Sequence, residues 1–298
     1  SWSSAQVDTG DHYASLASLD SVDIATIVPY RGDFVTTGTG LLPFTGGQTV
    51  SLTASDFVPY TDYVFFVAQD GNAAADGLTI ANRTTLDHAL SLASLLSSSE
   101  SAQIYLIGSI IGQGTMDIQR NTFISAYGSA ARAIASFNSS IGAIPYVRIN
   151  AGGSLTLEKV SIDCSLLTGN PDSLIYMANG ANCSLRMGYG SSLIGGSGYT
   201  GPTYGGGVYV GSGCDLTMQG SSIQQCTIYP MTGSYGAAVY VATGGTATLQ
   251  NATFANNSTG GVGLGIVYVD GTVYAGSVTF VGNTGADHLG GGSWNPLP

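Results

Sequence analysis

The sequence predicts an all-β fold: a right-handed single-stranded parallel β-helix, or solenoid, with a short N-terminal capping α-helix and an irregular β segment ahead of it. Three observations carry that expectation. A three-strand pattern recurs with a period of about 30 residues, within the range of solenoid repeats. Only 8% of the 298 residues are charged, against about a quarter in ordinary globular domains. The chain also combines 44 glycines with 44% apolar residues, which suits many short strands and tight turns. Long helices with salt-bridged outer faces need a different composition.

The repeat is clearest in Gly205-Gly206-Gly207-Val208-Tyr209-Val210, Gly236-Ala237-Ala238-Val239-Tyr240-Val241 and Leu264-Gly265-Ile266-Val267-Tyr268-Val269. Leu174-Ile175-Tyr176-Met177 and Val147-Arg148-Ile149 fit the same slot. A Gly-rich turn follows each, then in most coils a second strand, as in Leu155-Thr156-Leu157, Leu185-Arg186-Met187, Leu216-Thr217-Met218 and Ala247-Thr248-Leu249. A third strand comes next: Val160-Ser161-Ile162, Ser221-Ser222-Ile223, Ala252-Thr253-Phe254 and Val278-Thr279-Phe280. Alternate residues of a strand face opposite ways, so Val208 and Val210 point inward and Tyr209 outward. Six or seven such coils, each rising about 4.8 Å, would make a rod roughly 30 Å long.

Four zones follow from this pattern. Residues 1–60 read as an irregular β segment, an assembly or capping arm. It contains Arg31-Gly32-Asp33, a tripeptide that resembles an integrin-binding loop, but a turn beside Pro29 is the expected reading. Residues 61–103 hold the entry strand Tyr63–Val67, the loop from Asp70-Gly71-Asn72 to Asp76-Gly77, and an amphipathic helix. Leu86, Ala89, Leu90 and Ala93 lie at helical spacing, with a threonine at the N-cap and Asp87 in the first turn. Residues 104–285 are the coils, and 286–298 a Gly-rich tail.

Charge excludes several functions. The net charge of −11 opposes nucleic acid, whose phosphates need clustered Lys and Arg. No apolar run reaches the ~18 residues of a membrane span. The chain begins at Ser1 without a signal peptide, as a processed secreted chain or an excised segment would. Extracellular or cell-surface placement is the expectation, and the four cysteines permit disulfides. No cofactor is expected. His12, His88 and His288 lack spaced partners for a metal, and the Asp70–Asp76 loop lacks the later bidentate Glu of an EF-hand.

Several residues stand out as candidates. Tyr176, Tyr209, Tyr240 and Tyr268 should stack on one outer face with Arg148 one coil earlier. That makes either an aromatic strip for sugar rings or a lateral neighbour, or side-chain stacking that only stabilises the sheet. Arg148 over Tyr176 could add a cation–π contact. Asn257 and Asn283 should share one turn position in adjacent coils and bond along the axis. The sequons at Asn82, Asn138 and Asn251 are the expected glycan sites. Cys183 and Cys214 each precede the second strand by two residues, anchored on Leu185 and Leu216. They therefore stack about 5 Å apart between Cα atoms, a spacing that suits a disulfide. Cys164 and Cys226 fall two coils apart. The one dense charged patch spans Arg148, Glu158, Lys159, Asp163, Asp172 and Arg186.

The order of strand, Asp-Gly-Asn loop and short helix resembles the entry to right-handed β-helices of the pectate-lyase-like superfold. There such elements cover the first coil, whose interior and strand edge are otherwise open. Residues 205–285 resemble the polymorphic outer membrane proteins of chlamydiae, which repeat a Gly-Gly-Ala-hydrophobic element and a Phe-x-x-Asn element. Gly236-Ala237-Ala238-Val239 is near the first, and Phe254-Ala255-Asn256-Asn257 and Phe280-Val281-Gly282-Asn283 match the second. Ile223-Gln224-Gln225-Cys226 fills that slot with changed residues. The resemblance implies a β-helical passenger of an adhesin.

The expected role is structural: a surface β-helix that self-associates head-to-tail, because the last coil has no evident cap. The alternatives are a monomeric adhesin or carbohydrate-binding module, and a polysaccharide lyase or glycoside hydrolase with its site near Arg148, Glu158 and Asp163. An enzyme is not the expectation, since such chemistry needs converging carboxylates or bases.

Overall fold

The computed structural model describes residues 62–98, 100–112, 115–128, 132–136, 146–165, 173–180, 182–198, 204–228, 233–260 and 265–297. The N-terminal segment with Arg31-Gly32-Asp33, and the positions Asn138 and Asp172, lie outside them. The chain divides after Val64, and the following account concerns the second unit, Phe65–Pro298, with the strand that leads into it.

That strand is β1 (Asp62–Val67), followed by helix α1 (Leu86–Ser94). Seven circuits of three main strands come next. The first is β2 (Ser101–Leu106), β3 (Ile110–Gly112) and β4 (Met116–Ile118); the second is β5 (Asn121–Ala126), β6 (Arg132–Ser136) and β7 (Val147–Ile149). The third is β8 (Ser154–Glu158), β9 (Val160–Asp163) and β10 (Ile175–Met177). The fourth is β11 (Ser184–Met187), β12 (Ser192–Ile194), the short β13 (Ser197–Gly198) and β14 (Val208–Val210). The fifth is β15 (Asp215–Gln219), β16 (Ser222–Gln224), the short β17 (Thr227–Ile228) and β18 (Val239–Val241). The sixth is β19 (Thr246–Gln250), β20 (Thr253–Ala255) and β21 (Val267–Val269). The seventh is β22 (Thr272–Gly276), β23 (Thr279–Val281) and β24 (His288–Leu289), and β25 (Ser293–Pro296) follows it.

The strands are dealt in turn to three sheets. The first has the order β1-β2-β5-β8-β11-β15-β19-β22-β25, the second β23-β20-β16-β12-β9-β6-β3, and the third β24-β21-β18-β14-β10-β7-β4. The registered pairs are parallel. Ser154, Ser184, Asp215 and Thr246 lie in one register column, so the middle circuits take 30 or 31 residues each. The fold is all-β with parallel strands and one helix among the described residues, an arrangement consistent with a β-helix-like fold.

The register sorts apolar residues into interior columns. On the second sheet Ile110, Ile134, Ile162, Leu193, Ile223 and Phe254 succeed one another in register, all buried. On the third sheet the column is Met116, Val147, Ile175, Val208, Val239 and Val267, again all buried. Thr122 is a polar member of a first-sheet column, and its Oγ1 donates to the Arg120 carbonyl at 3.2 Å.

Single left-handed residues turn the corners. Between first- and second-sheet strands these are Lys159 (φ 55°), Gly220 (φ 61°), Asn251 (φ 51°) and Ser277 (φ 56°). At the next corner Gln225 (φ 56°), Asn256 (φ 54°) and Gly282 (φ 64°) do the same. This explains the Phe-x-x-Asn element. The left-handed residue re-aims its successor, so Asn257 and Asn283 turn inward. Asn257 Oδ1 accepts the Cys226 N–H at 2.9 Å, and its Nδ2 donates to the Ile223 carbonyl at 3.0 Å. Asn283 Oδ1 accepts the Asn257 N–H at 2.8 Å, and its Nδ2 donates to the Phe254 carbonyl at 2.9 Å. Each side chain thus satisfies one donor and one acceptor of the preceding circuit, as the expected asparagine ladder requires. Asn257 is buried, so its own sequon faces inward.

Helix α1 begins at Thr85, whose side chain accepts the His88 N–H at 3.3 Å. It buries Leu86, Ala89, Leu90 and Ala93 and packs against β2 and β4. Arg120 Nε donates to the Leu96 carbonyl at 2.7 Å, tying the segment after the helix to the turn before β5. In the preceding loop Arg83 pairs with Asp70 through both carboxylate oxygens. That hydrogen-bonded guanidinium holds the Asp70 carboxyl below the usual range.

The C-terminal residues differ from the expected Gly-rich tail at 286–298. They add β24 to the third sheet and β25 to the first. In register, Phe280 follows Phe254, His288 follows Val267 and Trp294 follows Val273. The interior columns therefore end in rings: Phe280 stacks on Phe254 at 5.2 Å, and His288 on Trp294 at 4.3 Å. Strand propensity in this stretch is weak, and backbone pairing to the preceding circuit is what makes it strand.

Candidate functional site: an outer tyrosine cluster

The outward column of the third sheet runs Asp117, Arg148, Tyr176, Tyr209, Tyr240, Tyr268 and Leu289. The four tyrosines stack along it. Centroids are 4.9 Å apart for Tyr176–Tyr209, 5.5 Å for Tyr209–Tyr240 and 5.9 Å for Tyr240–Tyr268, with interplanar angles of 12°, 16° and 15°. Parallel strand pairing imposes this spacing, which is close to the preferred separation of stacked rings.

Two more tyrosines join that sequence reasoning did not single out. Tyr204 and Tyr235 form an isolated parallel bridge and stack at 5.7 Å. Tyr204 lies 5.0 Å from Tyr240, and Tyr235 lies 4.4 Å from Tyr268. The signal was present in the repeat, which extends by one residue to Tyr-Gly-small-small-Val-Tyr-Val at both 204–210 and 235–241. The left-handed glycine after each tyrosine does the positioning. Gly205 has φ 65° and Gly236 φ 70°. A Cβ on either would strike the carbonyl oxygen of Val208 or Val239. The chain folds tightly there and lays the first tyrosine beside the second column.

The hydroxyl ends are held individually. Tyr209 Oη donates to Asn179 Oδ1 at 3.1 Å, and the same oxygen accepts the Ser212 N–H at 2.9 Å. Tyr240 Oη donates to Asp270 Oδ2 at 2.8 Å. Burial, and then the bond to the Asp270 carboxylate, push the Tyr240 hydroxyl above the ordinary tyrosine range. Burial pushes Tyr209 and Tyr268 the same way.

This geometry bears on what the strip can do. A sugar ring stacks on an open aromatic face, but Tyr209 and Tyr240 each lie between two stacked rings. The hydroxyls of Tyr209 and Tyr240 are held by Asn179 and Asp270, and Tyr240 is buried among its neighbours. Arg148, in register with Tyr176, lies 3.8 Å from Asp117 on its other side.

No protein-family model matches the chain, and no curated protein sequence matches it.

The remaining candidates are spread over the molecule. Arg148 lies on the third sheet, Glu158 ends a first-sheet strand and Asp163 ends a second-sheet strand. Lys159 occupies the corner between Glu158 and Asp163. Arg186 points outward from the first sheet and donates to Gln219 Oε1 at 2.9 Å. Asp163 Oδ1 accepts both the backbone N–H and the hydroxyl of Ser165, closing a local turn. Among the described residues, no group of three or more His, Cys, Asp or Glu side chains gathers to hold a metal ion, and no helix is long and apolar enough to cross a membrane. Asn82 and Asn251 are exposed, and Asn82 Nδ2 donates to Asp76 Oδ1 at 2.6 Å. Cys183 and Cys214 lie side by side in consecutive circuits. All four cysteines are buried. Burial, with the neighbouring Asp163 and Cys226, raises the Cys164 thiol, and burial pushes the Cys226 thiol up to about 12.

Proposed function

We propose that the chain is a structural subunit of the cell surface or extracellular space that assembles head-to-tail with further copies of itself. On this reading the seven circuits wind as a right-handed single-stranded parallel β-helix, similar to the pectate-lyase-like superfold. The later circuits are similar to the polymorphic outer membrane protein repeats, and helix α1 covers the first circuit. The observation that carries the reading is the sheet order. The strands β25, β23 and β24 stand last in the three sheets, and β1, β3 and β4 stand first. A parallel edge accepts another strand in parallel, so the uncovered edges of β25, β23 and β24 can take up strands of a second copy. Val281 and Leu289, at 52% and 40% exposure on β23 and β24, add apolar surface at that end. Head-to-tail contacts of this kind propagate when they do not close into a ring.

A structural role is also favoured over a catalytic one because Arg148, Glu158 and Asp163 lie on strands of three different sheets. With its middle rings stacked on both faces, the tyrosine column suits lateral contact better than sugar stacking.

Electron microscopy and light scattering on the undenatured chain test the reading. Filaments are expected, and Val281→Lys with Leu289→Lys should shorten or disperse them by placing charge on the terminal edges. A monodisperse monomer at high protein concentration would overturn the proposal, and glycan-binding screens on Tyr204 and Tyr209 variants would then be the next step.

A further inference from the structure

We propose that Cys183 and Cys214 are the site of an intrachain disulfide that staples two consecutive circuits. The argument starts from a column of glycines. From the third circuit onward, the residue immediately before each first-sheet strand is Gly153, Cys183, Cys214, Gly245, Gly271 and Gly292. Backbone N–H groups of Ser184, Asp215, Thr246, Thr272 and Ser293 donate to the carbonyls of Gly153, Cys183, Cys214, Gly245 and Gly271 respectively. These bonds place the six residues one above the other.

Glycine is what the close approach of successive main chains demands at this slot. A Cβ on Gly153 would sit 2.6 Å from the Ile118 carbonyl oxygen, and one on Gly245 would sit 2.8 Å from that of Gly211. On Gly271 it would strike the carbonyls of Ala242 and Gly245, and on Gly292 that of Gly271. One level before Gly153 the column holds Arg120, whose carbonyl accepts the Ser154 N–H; from the third circuit onward side chains occupy it at two levels only. Those levels are adjacent, and both residues are cysteine. A side chain that merely filled space would have no reason to appear as a neighbouring pair in a column that is otherwise glycine from the third circuit onward.

The sulfurs meet. Cys183 Sγ and Cys214 Sγ are 2.7 Å apart, and both residues are buried. Residues paired across parallel strands have Cα atoms about 5 Å apart, inside the range a disulfide spans. The bond would close a loop with a sequence separation of 31 residues, one full circuit.

The oxidant is a small-molecule disulfide such as oxidised glutathione. One cysteine thiolate attacks it, releasing one small thiol and leaving a mixed disulfide. The second cysteine attacks that, releasing the other small thiol. Two protein S–H bonds and one small-molecule S–S bond are exchanged for one protein S–S bond and two small thiols. Burial and the neighbouring Cys214 raise the Cys183 thiol in the folded chain, so the exchange belongs to folding, before the two thiols are buried.

The test uses the full chain, reduced, unfolded and refolded in a glutathione redox buffer. Remaining thiols are alkylated in denaturant, and the peptides are mapped by mass spectrometry with and without reductant. One linked peptide pair containing Cys183 and Cys214 is expected, with Cys164 and Cys226 alkylated. The thermal midpoint of this material should fall on adding reductant, and that of Cys183→Ser with Cys214→Ser should not. Four alkylated cysteines in refolded wild-type protein, or a link through Cys164 or Cys226, would overturn the proposal.

Discussion

Asn257 illustrates how much a single buried polar side chain carries here. Its amide satisfies the Cys226 N–H and the Ile223 carbonyl, while Asn283 satisfies its own N–H. Asn257→Ala leaves two backbone groups of the preceding circuit unpaired in the interior. An unsatisfied buried group costs about 1–3 kcal/mol, so a loss in that range or above is expected in chemical denaturation. Tyr240 is the other informative residue, through pH. Its folded-state hydroxyl is shifted upward, so the neutral form is the one held in the fold. The stabilisation is complete below about pH 10, where an unfolded tyrosine is also neutral, and is lost as pH rises toward the folded value. Urea midpoints followed from about pH 9 to 11 should therefore decline, and Tyr240→Phe should flatten the decline. An unchanged slope in the variant would place the alkaline sensitivity elsewhere.

The elements depend on corners as much as on strands. Gly205 and Gly236 sit in left-handed conformation with no room for a Cβ. Gly236→Ala should cost at least about 1 kcal/mol and disturb the packing of Tyr235 on Tyr268. Near-ultraviolet circular dichroism would register that change even where the sheet signal in the far ultraviolet persists. The helix makes a separate test. Thr85→Ala removes the side-chain acceptor for the His88 N–H and should lower stability by about 0.5–2 kcal/mol. Hydrogen exchange should then rise first in α1, the element packed on β2 and β4, and only later in the middle circuits. Both the helix and its N-cap were legible in the sequence, because spacing at i, i+3 and i+4 and a capping threonine are local signals. Strands β24 and β25 were not, because His288-Leu289 and Ser293–Pro296 have no strand pattern of their own and acquire it from the circuit they pair with.

At the scale of the whole molecule, stability should be distributed along the stack, since each circuit pairs only with the one before and the one after. Ile162→Ala, in the middle of the second-sheet column, should cost about 2–5 kcal/mol, as large-to-small changes in a packed interior do. A truncation at the terminal edge, Val281→Ala, should cost far less because that smaller side chain is half exposed. Paired denaturation curves of the two variants make the comparison, and equal losses would count against a stack of nearest-neighbour circuits.

By itself the sequence determined the class of fold, the inward and outward assignment of the third-sheet strands, the helix and the four-tyrosine column. All of these follow from period and alternation, which are properties of short stretches of chain. It also located Cys183 and Cys214 in adjacent circuits, because two repeats aligned on Leu185 and Leu216 carry the spacing. Tertiary structure alone decided the rest. Tyr204 and Tyr235 enter the cluster because a left-handed glycine folds them back, and a backbone angle is not written in hydrophobic periodicity. Arg148, Glu158 and Asp163 look like one charged patch in the sequence, yet consecutive strands belong to different sheets and carry the three apart. The glycine column around the cysteines is visible only once main chains from separate circuits lie against one another, since what forbids a side chain there is the neighbouring circuit's carbonyl oxygen.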